Sequence, residues 1–170
     1  MIYVLIGKSA SGKTTAREYF EANGFIGYEA SSFINNAKTR TGIVNSEALL
    51  LKLGMDYVAK EISKSLHKDI DAVISGFRTV QELDCIKQIG SVKTIGIYSA
   101  DELCLNRYNS RKRDNECLSP IDFYKKLCAD YSLGLGKLLS EHVDHWVIND
   151  ASTEALFTQL DPFIRGVIDE

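Results

Sequence analysis

The sequence predicts an α/β protein of three layers, with helices on both faces of a five-stranded parallel sheet. Three observations lead there. Five short apolar runs alternate with segments of helical periodicity, an order that sets strands side by side in parallel. The first run, Ile2-Tyr3-Val4-Leu5-Ile6, enters a glycine-bounded loop, Gly7-Lys8-Ser9-Ala10-Ser11-Gly12-Lys13-Thr14, and then a helical stretch. The chain has 170 residues, 45% hydrophobic and 25% charged, which suits one domain over residues 1–170 with a substantial core.

Each element has its own signal. Thr14 to Asn23 reads as a helix closed by Gly24, and Phe25 to Tyr28 as the second strand. The polar stretch 35–45 reads as a long loop. Asn45, Ser46 and Glu47 then supply a cap and an acidic first turn for a helix. Its apolar positions Leu51, Met55, Val58, Ile62 and Leu66 define one buried stripe. Asp71 to Ser75 is the third strand, and Thr79-Val80-Gln81-Glu82 is a capping box opening a helix that stops at Gly90. Val92 to Tyr98 is the fourth strand, followed by a second capping box at Ser99-Ala100-Asp101-Glu102. After a loop at 110–119, Ser119-Pro120 starts a helix with a cap and a proline at its first position. His142 to Ile148 is the last strand, with Trp146 read as core. A helix from Ser152 is interrupted near Asp161-Pro162, where proline removes a donor.

Composition excludes several classes. The first apolar run is too short for a signal peptide and no later segment approaches a membrane span. Cys85, Cys104, Cys117 and Cys128 form no CxxC pair, which points to a reducing, cytoplasmic setting. A formal charge of −3 disfavours a nucleic-acid backbone as the main partner, although a local basic patch is compatible with one. The sequence carries no signal of oligomeric state.

The loop from Gly7 to Thr14 is a complete GxxxxGK(S/T), or Walker A, motif in the strand-to-helix context that the motif requires. Gly7 and Gly12 permit backbone angles that turn N–H groups inward on a phosphate, and the following helix adds the positive end of its dipole. Lys13 can reach the β- and γ-phosphate oxygens of ATP, and Thr14 can ligate Mg²⁺, with Thr15 a further phosphate contact. A glycine turn that binds nothing is the bland alternative. Ligands of parallel sheets bind beyond the carboxyl ends of the strands, so Gly7, Glu29, Gly76, Ser99 and Asn149 become candidates by position. HxxH at His142 and His145 lacks the further ligands of a metal set, and Cys117 lacks a partner base.

No NKxD base-reading motif of a GTPase is present, whereas Ser75-Gly76-Phe77-Arg78 follows the third strand. Arg107-Tyr108-Asn109-Ser110-Arg111-Lys112-Arg113 follows the fourth. In these features the chain resembles the small phosphate-loop nucleotide kinases, the nucleoside monophosphate kinases and the dephospho-coenzyme A kinase-like group. The resemblance implies a P-loop kinase-type fold with a small lid at about 107–119 and an acceptor-binding insertion at about 29–66. It implies ATP and Mg²⁺ as cofactors and a small-molecule nucleotide as acceptor. Arg78 matches the acceptor-phosphate arginine of a DGFPR-like stretch; a guanidinium suits bidentate phosphate binding. Arg107, Arg111 and Arg113 match the lid arginines that stabilise charge in the transition state. Asn149 falls in the loop that packs on adenine. Plainer readings stand beside these: a surface arginine, a solvated basic helix end, and helix capping by Asp150 or Ser152.

Two departures are evident. The acid that organises Mg²⁺ before the GFPR-like stretch is replaced by Ser75, which can hold a metal-bound water but adds no charge. Asp71 lies roughly 13 Å away along the strand. The aspartate usual after the second strand is replaced by Glu29-Ala30-Ser31-Ser32, leaving Glu29 and Ser32 as acceptor-binding candidates. An acceptor other than a nucleoside monophosphate, such as a dephospho-coenzyme A or nucleic-acid hydroxyl, and a non-catalytic nucleotide-binding module are the alternatives.

Overall fold

The computed structural model describes residues 1–67, 70–111 and 117–167. Strands β1 (Ile2–Ile6), β2 (Ile26–Glu29), β3 (Ala72–Ser75), β4 (Val92–Tyr98) and β5 (His145–Ile148) form one parallel sheet in the order β2-β3-β1-β4-β5. Central β1 is buried throughout, with Val4 opposite Ile74 on one side and Thr94 on the other. Alternation divides its side chains between two cores. Tyr3 and Leu5 meet α1 (Lys13–Ala22) and α9 (Thr153–Ile164) through Phe20, Leu156 and Leu160. Ile2, Val4 and Ile6 meet α2 (Ala30–Thr41), α3 (Ser46–Leu53), α4 (Tyr57–Ser63), α5 (Val80–Lys87) and α8 (Gly136–Glu141). A small third cluster joins α6 (Asp101–Ser110) to α7 (Pro120–Asp130) through Cys104, Phe123 and Leu127.

The caps at Thr79 and Ser119 form as their sequences predict, the first with both halves of the capping box. Elsewhere tertiary packing overrides the local signal. The polar stretch expected as a loop largely belongs to α2, because Ala30, Ile34 and Ala37 line one face that the core buries. The single expected stripe is two helices, α3 and α4, parted at Gly54 with φ 107. Its break rotates the register, so Leu49, Leu50, Val58, Ala59 and Ile62 are buried while Leu51 is 72% exposed. The expected box at Ser99 does not form: α6 begins after Ala100 without a side-chain cap, since Ser99 bonds Asn149 and Asp150 instead. Helix α9 runs through Pro162, anchored on either side by buried Leu160 and Phe163, and the Pro162 carbonyl accepts from Val167 N–H. Trp146 is exposed, because β5 is an edge strand. Among the described residues no helix is long and apolar enough to cross a membrane, and no three metal-ligating side chains gather.

Candidate active site

The sheet order brings the carboxyl ends of all five strands to one edge, and the phosphate loop lies at its centre. Ala10 (φ 62) and Gly12 (φ 108) adopt left-handed backbone, the conformation that curls successive N–H groups into a nest. Neither glycine of the motif has room for a side chain. A Cβ at Gly7 would lie 2.6 Å from both the Ile97 carbonyl oxygen and Ser11 Oγ; one at Gly12 would lie 2.0 Å from Asn149 Nδ2. Asn149 Nδ2 in turn donates to the Ser11 carbonyl (2.8 Å), pinning the loop to the end of β5. Ser11 Oγ is buried and makes no hydrogen bond. Lys13 Nζ donates to the Gly7 and Lys8 carbonyls (2.8 and 2.7 Å), so its ammonium lies over the cup it helps to form. Burial, and next the Arg78 charge, pull its pKa down to about 8. These features fit a polyphosphate: a side-chain-free amide cradle, a cation with only carbonyl partners, and an orphan hydroxyl at its base.

A cavity of about 520 Å³ extends from this loop, lined by Gly7, Lys13 and Thr14 together with residues of α2, α3 and α7. Glu29, at the end of β2, lines it and is held from three sides. Ser75 Oγ donates to Glu29 Oε2 (2.9 Å), Ser31 Oγ donates to Oε1 (3.1 Å), and Arg17 Nε lies 3.5 Å from Oε2. Ser75 is thus the support of a neighbouring carboxylate.

Arg78 also lines the cavity and is anchored by backbone and side chain. Its N–H donates to Glu82 Oε2 (2.8 Å), alongside the N–H of Thr79 (3.0 Å). Burial pushes the Glu82 carboxyl up to about 7, opposed by these hydrogen bonds. The Arg78 guanidinium Nε is ion-paired with Asp130 Oδ1 (2.8 Å), while Ser9 Oγ donates to Asp130 Oδ2 (3.3 Å). Asp130 therefore joins the arginine to the phosphate loop, and only 9% of its side chain is exposed. It ends α7, where a π-helical turn (Tyr131–Leu135) follows. Gly134 (φ 125) lets that turn pass so near Arg78 that a Cβ would meet the Arg78 carbonyl oxygen at 3.2 Å.

The remaining sequence candidates divide. Ser9, Ala10 and Arg111 line the cavity, as does Ser31, whereas Ser32 caps its own turn by donating to the Glu29 carbonyl. Lys8 points away, paired with Asp101 and lying 5.2 Å from the Tyr98 ring centroid. Arg107 Nη1 donates to Ser99 Oγ (3.0 Å) and to the Asn149 carbonyl (2.9 Å), and Arg107 is not part of the cavity lining. Arg113 lies outside the described residues. Asp150 caps the first N–H before α6 by accepting from Ala100, and Ser152 caps α9. Sequence reasoning missed Asp130, Arg17, Lys38 and Lys126. Each sits inside an ordinary helical pattern with no motif around it; a carboxylate closing a helix C-terminus, against the helix dipole, is the one local oddity that singles out Asp130.

No protein-family model matches the chain. It is similar to UPF0200 proteins of two archaea. With that of Pyrobaculum aerophilum it shares 24% identity over 156 residues, 89% of each chain; with that of Aeropyrum pernix it shares 27% over 166 residues, 92% of this chain and 88% of the relative. Among solved structures it is similar to a shikimate kinase from Acinetobacter baumannii in complex with shikimate. There the TM-score is 0.66 at 18% identity, covering 99% of this chain and 95% of the other. A gluconokinase from Sinorhizobium meliloti gives 0.64 at 17%, covering 97% and 94%. At these identities the likeness establishes the fold, which is that of P-loop kinases such as shikimate kinase.

Proposed function

We propose that this protein is a phosphotransferase that moves the γ-phosphoryl group of ATP, in the presence of Mg²⁺, to a small-molecule acceptor, a nucleoside or deoxynucleoside monophosphate foremost. The observation that carries the reading is one cavity that runs from the phosphate loop to Arg78, with Asp130 linking the two. The structural neighbours named as small-molecule kinases support the general class.

In this reading the loop amides and Lys13 hold the β- and γ-phosphates. An acceptor oxygen forms a bond to the γ-phosphorus as the bond to the β–γ bridging oxygen breaks, and ADP leaves. Lys13 and Arg78 stabilise the charge spread over the equatorial oxygens. With Asp130 against its Nε, Arg78 would offer its Nη groups to the acceptor. Thr14 would hold the metal, with Glu29 and Ser75 behind it; a bound Mg²⁺ supplies neutralisation of phosphate charge. Arg111 and Arg113 would close over the phosphates, and Arg107 would tie that closing segment to the loop at Asn149 that flanks the base. One observation favours a second acceptor type: Glu29, steadied by Ser75, Ser31 and Arg17, is suited to orient or deprotonate a hydroxyl.

The deciding experiment measures ADP release with Mg²⁺-ATP and panels of nucleoside monophosphates and of small hydroxyl acceptors. Release dependent on a monophosphate and lost in Lys13→Ala supports the first reading. Release dependent only on hydroxyl acceptors selects the second. ATP binding with no acceptor-dependent release would leave a nucleotide-binding module and overturn both.

A further inference from the structure

Resting on this phosphoryl-transfer reading, the geometry points to a second anion subsite, formed by Lys38 and Lys126 in the wall of the same cavity. It selects an acceptor that carries an additional phosphate or carboxylate remote from its reacting group.

Both lysines are half-buried, one on α2 and one on α7, and both line the cavity. They differ from the helix-surface lysines. Lys60, Lys64, Lys125 and Lys137 are each more than half exposed and each meets an acid three or four positions away. Among the described residues neither Lys38 nor Lys126 has a carboxylate partner, and their own helices have none to lend. Helix α2 contains no acidic residue, while on α7 Asp122 serves Lys125 and Asp130 serves Arg78. Glu47 of α3 lines the same cavity and forms no ion pair with either.

The cations are graded along the cavity. Arg78 is within electrostatic reach of Lys13 at the loop end, and also of Lys38, which burial and then the Arg78 and Lys126 charges hold below its ordinary pKa. Like charges gathered in a concave, partly dehydrated space repel one another, and an entering anion relieves that repulsion. The volume suits a ligand that meets both the transfer centre and these two lysines. Ammonium groups are compact donors without the planar fork of arginine, so either a tetrahedral phosphate or a carboxylate satisfies them.

The test fills the donor site with Mg²⁺ and a non-hydrolysable ATP analogue, then titrates inorganic phosphate in one arm and acetate in the other. Heat and the NMR signals of the lysine ammonium groups are followed together. In the wild type one anion is expected to shift the Lys38 and Lys126 signals, and the arm that does so names the group. Lys38→Met/Lys126→Met is expected to weaken that binding by about tenfold or more, and Lys38→Arg/Lys126→Arg to retain it. Signals unmoved by either anion, or equal affinity in the Met variant at native circular dichroism, would overturn the subsite. Anion binding that depends on both lysines, in a protein that phosphorylates no acceptor, would keep the subsite and reject the kinase reading.

Discussion

Lys13 shows at the residue scale how function and stability oppose each other. Its ammonium is buried against loop carbonyls, with a pKa near 8 against an ordinary 10.5. Between these values the unfolded chain holds a proton that the folded protein releases. Stability therefore rises with pH from about 8 to about 10.5, and below 8 the buried charge is a cost. In the proposed reaction the charge is required, so kcat/KM is expected to fall as pH rises through about 8, and bound polyphosphate is expected to move that limb upward. Lys13→Met is expected to abolish transfer while raising the unfolding temperature at pH 7 by roughly 2–4 °C. A pH–rate profile flat from 7 to 9 would contradict this role. Asp130 and Arg78 act as a unit. Asp130→Asn and Arg78→Lys are each expected to lower kcat/KM for the acceptor roughly tenfold, and the double variant to fall little further, since both lose one oriented guanidinium. Additive losses would mean the two act separately. Lys13 and Arg78 were legible in the sequence because motifs surround them; Asp130 was not, because its partners lie 52 and 121 positions away in the chain.

At the scale of elements, the start of α5 and the π-helical turn before α8 fix Arg78 from two sides. Thr79 Oγ1 caps α5 by accepting from Glu82 N–H (3.1 Å) and donates to the Met55 carbonyl (2.8 Å), tying the turn after β3 to the junction of α3 and α4. Thr79→Ala is expected to cost about 2 kcal/mol, from a lost cap and a buried carbonyl left without its donor, read from urea unfolding. A loss under about 0.5 kcal/mol would show that the cap is dispensable. This box was legible because both members lie within four residues. The box expected at Ser99 had the same local pattern and failed, because Asn149 and Asp150, brought beside it by β5, compete for the hydroxyl.

For the whole molecule, the strand order β2-β3-β1-β4-β5 is what assembles a site from distant segments. Glu29, Ser75, the phosphate loop and Asn149 each follow a different strand, yet hydrogen bonds join Glu29 to Ser75 and Asn149 to the loop. A ligand seated there binds the folded state alone. A non-hydrolysable ATP analogue with Mg²⁺ at about 100 times its Kd is expected to stabilise the fold by about 2.7 kcal/mol, raising the unfolding temperature by roughly 5–10 °C. Chelation of the metal is expected to remove most of the rise; an unchanged midpoint with the analogue present would remove the donor site.

The amino-acid sequence by itself determined the α/β class, the five strands and the phosphate loop, because alternation, helical period and paired glycines act over a few residues and are written in local spacing. Only the tertiary structure decided that stretch 35–45 largely joins a helix, that Leu51 faces water, that Ser75 supports Glu29, and that Asp130 holds Arg78. These outcomes depend on which surfaces the sheet order brings together. A side chain's partner across the fold leaves no trace in the residues beside it.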